Sequence, residues 1–235
     1  MSLPPIPVPD APASDADLIA RYLRDRSGEA FRALVDRHAG MVHAVCIRGL
    51  GRHAALAEDA TQAVFLVLAR KAGSIRDPSA VAGWLFQIAR MVVMRLRRQE
   101  AGRRRFESAA AAAREGRRPM DDRERLWRQA LPHLDEAIAS LRESSRAAVA
   151  LYYLEGIPQE EVARRLGCAQ STVHDRIVIA LAHLRRFFLR KGVALPAAAL
   201  ATGLSAMAAP AAPVAMVAAC ASAGTAGAPA SAAAA

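Results

Sequence analysis

The chain has 235 residues, of which 53% are apolar, 23% charged and 5% aromatic. That balance excludes a collagen-like or wholly disordered polymer and suits one or two small domains that can bury a core. The net charge is +10, and all but two of the 32 basic residues, Lys71 and Lys191, are arginine, which points to a polyanionic partner: nucleic acid first, an anionic membrane surface second. Cys46, Cys168 and Cys220 lie far apart and make no CxxC pair, so neither a disulfide framework nor a structural zinc site is indicated and a reduced cytosol fits. The opening run from Met1 to Asp10 is proline-rich and lacks basic residues, unlike a signal peptide or transit helix.

Residues 1–13 are expected to be disordered, and helical spacing of apolar residues then marks a first domain over 14–100. Between Leu56 and Lys71, Ala57, Ala60, Val64, Val67 and Leu68 form one apolar stripe, and Gln62, Phe65, Leu66 and Ala69 form a second. The first stripe faces a core; the Phe65–Leu66 patch is either covered by its own domain or docks another protein. The polar loop from Gly73 to Ala80, containing Arg76, leads to Trp84 and a helix with Leu85, Ile88, Ala89, Val92 and Leu96 as its core stripe. Arg90, Arg97 and Arg98 lie on another side of that helix, and seven arginines against Glu100 between Arg90 and Arg105 call for phosphate as counter-charge. An aromatic beside such a helix can stack single-stranded bases; Trp84 also suits a plain core position.

Residues 101–126, with the Ala109 to Ala113 run, read as a linker, and a second helical domain spans 127–191. There Pro158 is placed at a first helical position, followed by Gln159, Glu160 and Glu161, whose carboxylates suit the positive end of a helix dipole. Gly167 stops this helix, and Ser171 or Thr172 is expected to cap the next, whose core stripe is Val173, Ile177, Ala180, Leu181 and Leu184. Gln170, His174, Asp175 and Arg176 are left near its outward N-terminal end, where a recognition helix reaches base edges in the major groove. An αα-corner of a bundle gives the same pattern. Residues 192–235 carry no charge, half of them are alanine, and Pro196, Pro210, Pro213 and Pro229 interrupt them. Disorder or a loose surface helix is expected there rather than a membrane span. No hairpin signature occurs, so the fold class is all-α: two small helical domains, the second a helix-turn-helix.

Four stretches, Glu29 to Val35, Ala57 to Leu66, Gly83 to Arg90 and Leu154 to Gly167 followed by Ser171-Thr-Val173, together resemble the extracytoplasmic-function (ECF) sigma factors of bacterial RNA polymerase, within the sigma-70 family. The uncharged tail resembles extensions on sigma factors of planctomycete and verrucomicrobial type. The resemblance implies that Asp59, Gln62, Phe65 and Leu66 dock the β′ clamp of core polymerase. It implies that Arg76, Trp84, Arg90, Arg97 and Arg98 engage the promoter −10 element. Gln170, Ser171, Thr172, His174, Asp175 and Arg176 would read the −35 element, the second domain would also meet the β flap, and an anti-sigma factor is a further implied partner. The chain departs from the family pattern at Ala63, Met91, Ser171 and His174-Asp175. No HExxH, GxSxG or phosphate-binding glycine loop is present, so no enzyme, cofactor or metal is expected. A free-standing helix-turn-helix regulator is the other reading; it has no need for a second apolar face at Gln62, Phe65 and Leu66.

Overall fold

The computed structural model describes residues 13–51, 53–104, 122–209 and 212–226. The proline-rich start and most of the linker therefore lie outside the described residues. Among the described residues the regular structure is helical, as the all-α reading requires.

Helix α1 (Asp15–Asp25) begins at a capping box: the Ser14 hydroxyl accepts from the Asp17 backbone N–H, and the Asp17 carboxylate accepts from the Ser14 backbone N–H. Helices α2 (Gly28–Leu50), α3 (Ala54–Lys71) and α4 (Val81–Arg104) pack on one another, and α1 packs on α2, with the Tyr22 hydroxyl donating to Ala69 O of α3 at 3.3 Å. Their core holds Ile19, Phe31, Leu34, Val64, Leu68, Leu85 and Phe86, all at most 1% exposed. The loop between α3 and α4 is fixed by Asp77, whose carboxylate accepts from the Ser79 N–H at 3.1 Å and starts a short 3-10 turn. The stretch Pro78–Gln99 is long and apolar enough to cross a membrane by length and composition, but half of it is buried inside this core.

The second unit contains α5 (Asp122–Ala139), α6 (Glu143–Val149), α7 (Gln159–Arg165) and α8 (Gln170–Arg190). Helix α6 runs into a π turn at Ala150–Leu154, which turns Glu155 inward; the Glu155 N–H donates to Ala150 O at 2.9 Å. Two expected helix starts are corrected. Pro158 is the N-cap of α7 and Gln159 its first residue. Helix α8 starts at Gln170 with Ala169 as N-cap and no side-chain cap, so neither Ser171 nor Thr172 caps it. The reason lies in the turn: Gly167, at φ +61, ends α7, the Cys168 N–H closes back to Ala163 O at 3.0 Å, and the chain is extended again by Ala169.

The tail departs furthest from expectation. Residues 197–205 and 214–226 form α9 (Ala197–Ser205) and α10 (Val214–Ala226), and both are packed into the body. Helix α9 sits on α5 and α8, where Gly203 lies flat against Trp127: a Cβ there would be 2.5 Å from the indole ring. The Arg123 guanidinium of α5 donates to Thr202 Oγ1 at 2.7 Å and to Ala198 O at 3.2 Å. Helix α10 crosses to the first unit and packs against α2 and α3. Small side chains are what permit this. Alanine carries little apolar area per residue, but it lets helix axes approach closely, which a count of strong hydrophobes does not register.

Candidate nucleic-acid and polymerase interface

The two units touch directly. At the start of α4, Gly83 lies against the α6 backbone, where a Cβ would be 3.0 Å from Ala147 N, and Arg146 donates from Nε to Gly83 O at 3.0 Å and from Nη1 to Leu141 O at 2.8 Å. A buried ionic cluster joins the same units. His38 of α2 lies 3.2 Å from Asp15 of α1 through Nε2 and 2.7 Å from Glu155 through Nδ1. Arg37 pairs with Asp15 at 2.7 Å, and Arg165 of α7 approaches Glu155 at 3.6 Å. Asp15 and His38 are fully buried. Burial alone would push His38 down, but the carboxylates of Glu155 and Asp15 raise its pKa to about 10. Burial likewise opposes the charge on Asp15, yet His38 and Arg37 hold that carboxyl well below its ordinary value.

On α3, Asp59 is exposed and Gln62 and Leu66 are half-buried, whereas Phe65 is 0% exposed. Of the two readings of the Phe65–Leu66 patch, Phe65 takes the first: it is covered by its own domain and is a core side chain. Among the described residues α2, α4 and α10 pack on α3, and the Tyr22 hydroxyl of α1 donates to Ala69 O. Leu56 shares a cleft with Arg90, Val93 and Met94 of α4, so Ala60 and Val67, which follow Leu56 along the same side, face α4. Thr61, Phe65 and Ala69 face the other way.

On α4 the predicted residues fall into two groups. Arg90 and Arg97 line the cleft against the end of α2, together with Arg48 and the carboxylates Asp135 and Glu136. Trp84, half-buried, shares a different stripe with Met91, Arg95 and Arg98, the last three exposed. Arg95 is absent from the sequence candidates; its position eleven residues after Trp84, three helical turns, is the signal that identifies it. Arg76 is exposed on the loop before α4.

In the helix-turn-helix, Val173, Ile177, Ala180 and Leu184 are buried and Leu181 is half-buried. Gln170, Ser171, His174 and Asp175 are exposed at the N-terminal end of α8, and Thr172 and Arg176 are half-buried. Arg176 reaches back toward the turn, 3.7 Å from the Cys168 sulfur. The exposed set is what a groove-reading helix presents, and it is joined to the Glu155 end of the buried cluster through α7.

An Arg-bearing α4, an α3 with a partly open polar edge and a second unit carrying a helix-turn-helix define a transcription-factor architecture. Similarity to known proteins agrees: residues 34–103 match the Sigma-70 region 2 model and residues 133–184 the Sigma-70 region 4 model. The ECF RNA polymerase sigma factor SigM of Mycobacterium tuberculosis is 34% identical over 184 residues, covering 77% of this chain and 88% of SigM. SigK of a Mycobacterium species, an ECF RNA polymerase sigma factor, is 32% identical over 173 residues, covering 70% and 86%. The ferric citrate uptake sigma factor FecI of Escherichia coli is 28% identical over 165 residues, covering 69% and 93%. The chain belongs to the ECF sigma factors of the sigma-70 family.

Proposed function

We propose that this sigma factor binds core RNA polymerase through the open edge of α3 and carries promoter specificity on α4 and α8. The observation that supports it best is the combination, on one chain, of the α3 edge with two separate DNA-type surfaces; a free-standing regulator needs only the last. In this reading Asp59, Gln62 and Leu66 meet the β′ clamp, with Phe65 supporting them from beneath, and the second unit meets the β flap. Arg76, Trp84, Arg95 and Arg98 hold the unstacked −10 strand, Trp84 stacking on a base and the arginines on phosphate, with stacking contributing about 1–3 kcal/mol per base. Arg90 and Arg97 supply further positive charge from the neighbouring cleft. Gln170, Ser171, Thr172, His174 and Arg176 read the −35 duplex, with Asp175 placed to accept from a cytosine amine. The polymerase supplies the chemistry, and this chain supplies differential binding of melted over duplex promoter. Action beside the polymerase in the cytosol, control by an anti-sigma factor and a tail of planctomycete or verrucomicrobial type belong to the same proposal.

Co-elution with purified bacterial core polymerase, followed by run-off transcription on fragments of the source genome, tests it. New discrete start sites that depend on both proteins support the assignment; specific duplex binding without core-dependent initiation overturns it. Two residue-level expectations follow. Charge removal at Arg97 and Arg98 lowers DNA affinity for all sequences and reduces the slope of log affinity against log salt by about 1 for each phosphate that is no longer neutralised. Gln170→Ala and Arg176→Ala each cost about 1–3 kcal/mol on the preferred −35 sequence and relax base preference at one position, measured by titration of single-base variants.

A further inference from the structure

The tail helix α10 lies along the groove between α2 and α3, on the side away from α4. Val214 and Val217 face Gly40 and Met41 of α2 across a crevice that Arg37 and Glu155 also line. One turn further on, Cys220 lies beside Cys46, which in turn neighbours Thr61 of α3. Met216, Val217, Cys220 and Ala221 are buried. The tail helix thus packs on α2 and on α3, the helix whose Asp59, Gln62 and Leu66 edge is assigned above to core polymerase.

We propose that α10 is an intramolecular occupant of the polymerase-docking groove, displaced when a helix of the core enzyme takes its place. The inference rests on the sigma-factor reading of α3. Three observations favour an exchangeable helix over a fixed part of the domain. First, α10 lies outside both matched sigma regions, which end at residues 103 and 184, so the fold shared with the family does not include it. Second, it is short and alanine-rich, with no charged residue to pair with the groove, and Val214 at its start is 81% exposed. A helix of 13 residues is marginal by itself in water, so its place is held by apolar packing on α2 and α3 rather than by its own helicity. Third, the chain just before it is anchored independently: Ala209 N–H donates to Leu154 O at 2.8 Å, and α9 is clamped on α5 by Trp127 and Arg123. Helix α10 can therefore leave the groove while α9 stays on the second unit, and it remains at high local concentration to return.

The seat of α10 also explains why the tail spans both units. With α9 on the second unit and α10 on the first, it straps together two units that also meet through His38–Glu155 and Arg146–Gly83.

Hydrogen–deuterium exchange on the full chain, with and without purified core polymerase, tests this without any mutation. Amides of residues 214–226 are expected to lose protection on core binding while those of 197–205 keep theirs; unchanged protection of 214–226 in the complex overturns the proposal. In parallel, Val217→Glu in the full chain is expected to tighten core binding tenfold or more with the α1–α4 amides still protected. Equal or weaker binding by that variant overturns it. If neither wild type nor Val217→Glu binds core polymerase, the sigma-factor reading itself is at fault, and the two failures are thereby distinguished.

Discussion

Replacing His38 by alanine is expected to destabilise the folded chain by about 3–5 kcal/mol, measured by urea unfolding near pH 6. The imidazolium lies between two carboxylates, Asp15 at 3.2 Å and Glu155 at 2.7 Å, with no exposed surface of its own. Its removal leaves Glu155 with only the longer approach of Arg165, 3.6 Å away, and opens a cavity where the two units meet. The cost is large because the surviving negative charge stays buried, not because the intact cluster is a strong net stabiliser. The pH dependence has a definite sign. His38 titrates at about 10 in the folded chain against an ordinary 6.5, so the folded state holds the extra proton between those values. Its contribution is whole below pH 6.5 and declines as pH rises toward 10. Asp15 is held below its ordinary 3.8, so its contribution is whole above that pH and is lost as acid protonates the carboxyl. The gap between wild type and His38→Ala is therefore expected to be widest between about pH 4 and 6.5 and to narrow steadily through the alkaline range.

The second large effect separates two adjacent residues of α3. Phe65→Ala is expected to cost about 3–5 kcal/mol of folding stability, since a fully buried ring leaves a cavity that its neighbours fill only in part. Leu66→Ala, at a half-buried position, is expected to leave unfolding within about 1 kcal/mol of wild type and to weaken core-polymerase binding. Thermal melts and a core-binding titration on the same two variants check this. A Phe65 variant with an unchanged melting temperature, or a Leu66 variant with unchanged core affinity, would remove the respective assignment.

The contrast between these residues shows what the chain order reveals and what it hides. The period of α3 places Phe65 and Leu66 on a second apolar stripe, but it does not say which third body covers part of that stripe. Helix α10 packs on α3 from more than 140 positions further along the chain, and its own sequence has no strong periodic pattern because alanine fills every face. The all-α class, the Gly167 turn and the Val173–Ile177–Ala180–Leu184 stripe each rest on neighbours within a few turns, so local order suffices to specify them. The Asp15–His38–Glu155 cluster is not legible in that way. Its members are separated by up to 140 positions, and nothing local to His38 distinguishes it from His43, which is half-buried and lies 3.2 Å from Thr61. The cap of α8 escapes the sequence for the opposite reason: Ser171 and Thr172 have strong local preference, but the Gly167 turn delivers extended backbone two residues earlier, and geometry overrides propensity.

The flat seat of Gly203 against Trp127 has an optical consequence. The chain has two tryptophans, Trp84 on α4, proposed to face the −10 strand, and Trp127 under α9, so the indoles sit in different places. If α10 alone leaves, α9 keeps water off Trp127 and its emission stays unshifted, whereas a base stacked on Trp84, as proposed above, would quench that ring. With Trp84→Phe and Trp127→Phe as single-fluorophore forms, the unlabelled protein becomes its own two-channel recorder of α9 position and strand capture.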